Sequence, residues 1–139
     1  MNRAEKAVEY KHNKNNCCQA VLKAFADQLP FDEKTLGALG SGFGNGMGCT
    51  EATCGALCGA VIAAGLLNDC GKPTTVQSKA MLKAFKEASG ATVCADLKGV
   101  KTGIVLCSCD DCVRNAVDVL EKSLAAMESA KTAEALKGL

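Results

Sequence analysis

Apolar residues recur along most of this chain at helical spacing. Residues 3–11 are charged but place Ala4, Ala7 and Val8 together, the pattern of a short amphipathic helix. A polar, Asn-rich run follows at 12–16, marking a break or an N-cap. From about 17 to 29 the apolar stripe Cys17, Val21, Ala24 runs beside Cys18, Leu22, Phe25, Leu29, and Pro30 stops it. Asp32 is placed to cap a short helix over 33–40. Thr50 or Glu51 opens an apolar helix to about Leu67. Thr74 to Gln77 has the form of a capping box, starting a helix that runs to about Ser89 and stops at Gly90. Residues 92–98 read as a turn or single helical turn, and 102–106 as extended loop. Ser108 then caps a helix with Asp110 and Asp111 in its first turn. Its buried face is Cys109, Cys112, Val113, Ala116, Val117, Leu120, Leu124 and Met127, and the Ala/Lys-rich tail 129–139 is expected to fray. The expected architecture is an all-α bundle of about five helices, one domain over 1–139, interrupted by a glycine-rich loop.

That loop, 40–48, holds five glycines in nine residues and cannot be ordinary helix. It lacks a Gly-Lys-Ser/Thr ending, so it is not a P-loop, and no apolar strand precedes it as a dinucleotide fingerprint requires. Its glycines would instead let backbone approach a ligand closely, form a tight connection, or serve a partner interface.

Charge narrows the function classes. The net charge is +1, leaving no broad electrostatic footprint for nucleic acid or an anionic membrane. The apolar stretch 52–67 is too short and too rich in Gly and Ala for a membrane span. The first residues lead into no apolar signal segment, so a cytoplasmic protein is expected. In that reducing setting ten cysteines point to metal, iron–sulfur or redox chemistry rather than a disulfide framework, and an oxygen-poor host would tolerate them best.

The thiols fall in five places: Cys17-Cys18, Cys49/Cys54/Cys58, Cys70, Cys94 and Cys107/Cys109/Cys112. A thiolate is favoured at a helix start, the condition met by Cys54 and Cys109. Cys54 and Cys58, four apart, are expected to face one site. Cys109-x-x-Cys112 is usable as a dithiol or as two metal ligands. No second knuckle completes a zinc ribbon and no ferredoxin run is present, so a cluster here would draw ligands from separate elements. Cys18, Cys58 and Cys70 also suit plain core packing. His12 reads as a solvated side chain, Glu51, Asp110 and Asp111 as helix-start acids, and Met47 and Met81 as filler. Three chemistries stay open: an iron–sulfur cluster, a cluster-free thiol–disulfide couple, or structural zinc.

Several blocks together resemble a known family. Asn16-Cys17-Cys18-Gln19-Ala20-Val21, the loop Gly42-Phe43-Gly44-x-Gly46-Met47, Cys54-Gly55-Ala56-Leu57-Cys58-Gly59-Ala60, the Ser89-Gly90 to Gly99 block with Cys94, and Cys109-x-x-x-Val113-x-x-Ala116 resemble the C_GCAxxG_C_C family of small helical redox-active proteins. The resemblance covers about residues 15–120. It implies a redox or metal site built from Cys17, Cys54, Cys94 and Cys109. The additional Cys18, Cys49, Cys58, Cys70, Cys107 and Cys112 depart from that pattern, and Cys58, Cys107 and Cys112 are further candidate ligands. The partner implied is a redox protein, with a homodimer left open.

Overall fold

A computed structural model describes residues 1–68 and 71–138. Among them lie eight helical elements rather than five: α1 Arg3–Lys11, α2 Cys17–Ala24, α3 Glu33–Gly40, a kinked turn Gly46–Thr50 of partly left-handed backbone, α4 Gly55–Asn68, α5 Thr75–Ser89, α6 Cys94–Lys98 and α7 Cys109–Lys137. The larger number comes from short elements that carry no full apolar stripe of their own. No strand is present among the described residues, only one antiparallel bridge between Thr53 and Val93.

Caps set most boundaries. Asn2, Asp32 and Ser108 accept the backbone N–H three residues on, starting α1, α3 and α7. Asn16 forms a complete capping box with Gln19 at the start of α2. The box expected at Thr74 does not form: Thr74 makes no side-chain cap, and α5 starts with Ser78 N–H bonded to the Thr74 carbonyl. Gly90, at φ +94°, ends α5 as expected.

Two helices differ in length from the sequence reading. α2 stops at Ala24, five residues early: Phe25, at φ −108° and ψ 13°, leaves helical geometry, and a distant side chain bonds the Ala24 carbonyl. The Arg3 guanidinium donates to Ala24 O at 2.7 Å, pairs with Asp27 and lies 4.7 Å from the Phe25 ring centroid. α4 starts at Gly55, several residues late. The Cys54 N–H is spent on Thr92 O and the Cys94 N–H on Ala52 O, so bridge pairing holds 52–54 extended until the helix can begin.

The core is aliphatic, with Phe25 and Phe85 its only fully buried aromatics. α2 crosses α4 at close range because glycine lines the crossing. A Cβ on Gly59 would stand 2.8 Å from Cys18 O and 3.2 Å from Val21 Cβ, and one on Gly55 2.8 Å from Phe43 O. α7 lies over α4, α1 and α5 and buries Cys112, Val113, Ala116, Val117, Val119, Leu120 and Met127. Beyond Met127 it continues as exposed helix to Lys137 where fraying was expected. No helix among the described residues is long and apolar enough to cross a membrane.

Candidate functional site

The starts of four helices meet at one pocket. Cys17 is the first residue of α2, Cys94 of α6 and Cys109 of α7, and Cys54 immediately precedes α4. All four line the pocket, together with Cys107 and Cys112 and with Asn45, Gly46, Gly55, Leu97 and Lys98. Cys54, Cys94 and Cys112 are buried; Cys17, Cys107 and Cys109 are half-buried. All nine described cysteines are free thiols.

Local sequence explains each placement. Asn16 caps α2 and also donates to Gly40 O at 3.0 Å, while Gln19 donates to Gly37 O at 2.8 Å, tying the Cys17 turn to the end of α3. The bridge sets Cys54 beside Cys94 through two backbone hydrogen bonds of 2.7 and 3.0 Å. Gly46, at φ +59°, comes so close to Cys94 that a Cβ there would stand 2.7 Å from Cys94 Cβ and 3.3 Å from its sulfur. Five of the six residues 45–50 have positive φ, three of them not glycine: Asn45, Met47 and Thr50. Backbone of this kind costs energy and persists only where its surroundings enforce it.

The sulfurs are arranged in donor–acceptor pairs. The Cys17 thiol donates to Cys109, whose pKa is lowered to about 6 despite partial burial; Lys98 and Lys11 add to the effect. Cys17, as donor, is raised. The Cys112 thiol donates to Cys54, lowering it to about 7 against the cost of burial, with help from the backbone N–H groups of Ala56 and Leu57 in the first turn of α4. Cys112 is raised in consequence, and its single S–H is shared with the Cys107 carbonyl, 3.8 Å away. Burial raises Cys94. The two lowered thiols are those that the helix-start argument selects.

Other candidates lie elsewhere. Cys58 does not line the pocket; it donates to Thr53 O at 3.9 Å and faces an apolar groove beside Val61, Ile62 and Leu82. Cys18 is wholly buried in the α2–α4 crossing, and burial pushes it up to about 12. Cys49 is exposed, with its sulfur 3.6 Å from Gly46 O. Cys70, expected in the core, lies outside the described residues. His12 is exposed and pairs with Asp110 at 2.9 Å, Nε2 to Oδ2. Sequence reasoning missed Asn45 and Lys98, whose side chains bond across the pocket rim at 2.5 Å. It also missed Asn115, which donates to Cys107 Sγ at 3.7 Å. None of the three has a local sequence signal.

The space between the pocket side chains is about 20 Å³, room for about one water. Among the described residues no three His, Cys, Asp or Glu side chains are arranged to hold a metal ion.

Fold and site together define a small helical protein with a buried polythiol pocket. The chain belongs to the family described as "Putative redox-active protein (C_GCAxxG_C_C)", whose model matches residues 15–123. Neither the curated proteins nor the solved structures gave a match.

Proposed function

We propose that this is a cytoplasmic one-electron carrier in which Cys17, Cys54, Cys94 and Cys109 hold an iron–sulfur cluster that exchanges electrons with a redox partner protein. One observation carries the reading: four helix starts, each bearing a cysteine, converge on one pocket. Four thiolates around iron make an anionic assembly, and α2, α4 and α7 direct their positive ends at it, with Lys98 and Lys11 adding charge. The donor set suits the group, being sulfur throughout, with backbone N–H groups of Ala56 and Leu57 already bonded to Cys54. The space among the sulfurs is about 20 Å³, so loading would require the pairs Cys17/Cys109 and Cys54/Cys112 to part.

Purification and reconstitution without oxygen test this. The expected result is iron and acid-labile sulfide bound together, with visible absorbance that bleaches on reduction. A protein that takes up neither overturns it, and whole-number zinc in their place would assign a structural metal module.

The thiol–thiol hydrogen bonds favour a second reading, a cluster-free dithiol couple with Cys54 or Cys109 attacking and its hydrogen-bonded neighbour resolving. Alkylation at neutral pH, read cysteine by cysteine, should then be fastest at these two. Equal rates at all cysteines would rule it out.

A further inference from the structure

The loop 99–106, joining α6 to α7, leaves from Lys98 and returns at Cys107, and both of those residues line the thiol pocket. Its apolar side chains Val100, Ile104, Val105 and Leu106 are each 53–65% exposed. Met47, 60% exposed, adds a fifth beside the pocket residue Gly46. Lys98 Nζ donates to Asn45 Oδ1 at 2.5 Å and ties that turn to α6. Among the described residues eleven large apolar side chains are exposed, and five of them lie on these two segments bordering the pocket.

The exposure is built into the backbone. Val100 N–H donates to Ala95 O at 3.0 Å, Gly103 N–H to Gly99 O at 2.8 Å and Leu106 N–H to Leu97 O at 3.0 Å. Gly99, at φ +69°, folds the loop back so tightly that a Cβ there would stand 2.3 Å from Ile104 O. A fixed run of three wet apolar residues, 104–106, is unfavourable unless something covers it.

Area and charge say what covers it. Five such side chains present apolar surface on the order of a few hundred Å², whereas a stable dimer needs about 800 Å² per chain. A small contact suits a partner that must leave after each encounter. Lys98 and Lys101 flank the loop and Lys11 acts on Cys17 and Cys109; none of the three pairs with a carboxylate among the described residues. Against them stand Asp96 and Glu51, since Asp110 is bonded to His12 and Asp111 to Arg114. A second copy in an isologous contact would set the same lysines opposite one another.

We propose that Met47 and the loop 99–106 form the surface on which this protein docks its electron partner, a one-electron carrier with an apolar docking face and an acidic rim. The proposal rests on the electron-carrier reading above and adds the partner's chemistry. One electron passes from the reduced protein to the oxidised one, and no bond forms or breaks.

The test uses the full chain, ¹⁵N-labelled, iron-free and reduced. Oxidised flavodoxin, an acidic diamagnetic carrier, is titrated in and backbone NMR shifts are followed; reduced cytochrome c is the basic control. Flavodoxin is expected to move signals in 45–48 and 98–107, with a Kd that weakens severalfold from about 50 to about 300 mM salt. The double variant Ile104→Ser/Val105→Ser should weaken the Kd about tenfold, and Lys101→Glu at least about threefold. Leu136→Ser, an equally exposed apolar site at the far end of α7, should leave it unchanged. All four positions are exposed, and the spectrum outside the loop verifies that each variant folds. No shifts, shifts centred elsewhere, equal binding of cytochrome c, or an equal loss in Leu136→Ser overturns the proposal. Loop shifts that grow with protein concentration in the absence of flavodoxin also overturn it and assign the surface to a second copy. Because no iron is present, failure of the cluster reading is seen in the reconstitution experiment and failure of the docking surface here.

Discussion

Cys109 and Cys17 act as one unit. A donated S–H lowers the first and raises the second, so between about pH 6 and the alkaline range the pair holds one proton. The reactive fraction of Cys109 therefore builds as pH rises through about 6. Its alkylation rate in iron-free protein should reach a plateau near neutrality, whereas an ordinary thiol, with a pKa of about 8.5, would still be climbing. Cys17→Ala removes the donor, and the midpoint should move up toward that ordinary value; a rate–pH profile read by mass spectrometry checks both statements. Cys18 gives the contrast: buried in the α2–α4 crossing and held up to about 12, it should stay unlabelled until the protein unfolds.

Among the elements, the α2–α4 crossing governs where Cys17 and Cys54 stand relative to each other. Gly59→Ala puts a methyl group 2.8 Å from Cys18 O, where backbone rather than a flexible side chain must give. A loss of about 1–3 kcal/mol is expected in chemical denaturation. Gly42→Ala, with open space around it and no positive φ, should cost no more than about 0.5 kcal/mol. Asn16→Ala removes a capping box and the 3.0 Å bond to Gly40 O together; about 1–2 kcal/mol should be lost, and Cys17 should become more accessible to alkylation. The caps at Asn16, Asp32 and Ser108 were legible because each needs only residues within one helical turn. The start of α4 was not, because Thr53 and Cys54 are held extended by Thr92 and Val93, about forty residues away. That displacement also explains why Cys58 does not share the pocket. The four-residue spacing argument assumes that both cysteines lie in helix, and Cys54 lies just before it. Cys109 and Cys112 are both inside α7, and there the spacing does place them on one face.

For the whole molecule, α7 divides in two. Up to Met127 it covers α4, α1 and α5; beyond, it is exposed on every side. Deleting 132–139 should change stability by no more than about 0.5 kcal/mol in denaturant titration and leave anaerobic iron uptake as it was. By itself the sequence determined the helical class, the helix starts at Cys17 and Cys109, the turn carrying Cys94, the special backbone of the glycine loop and the family. These follow from caps, periodicity and residue chemistry, whose range is a turn or two of chain. Tertiary structure decided which sulfurs meet. It drew Cys107 and Cys112 into the pocket and sent Cys58 to a different surface. It also turned Asn115 toward a sulfur eight residues away in sequence. Those outcomes depend on a bridge, a glycine-lined crossing and the packing of α5 against α7, contacts between segments too far apart in sequence for any local pattern to encode.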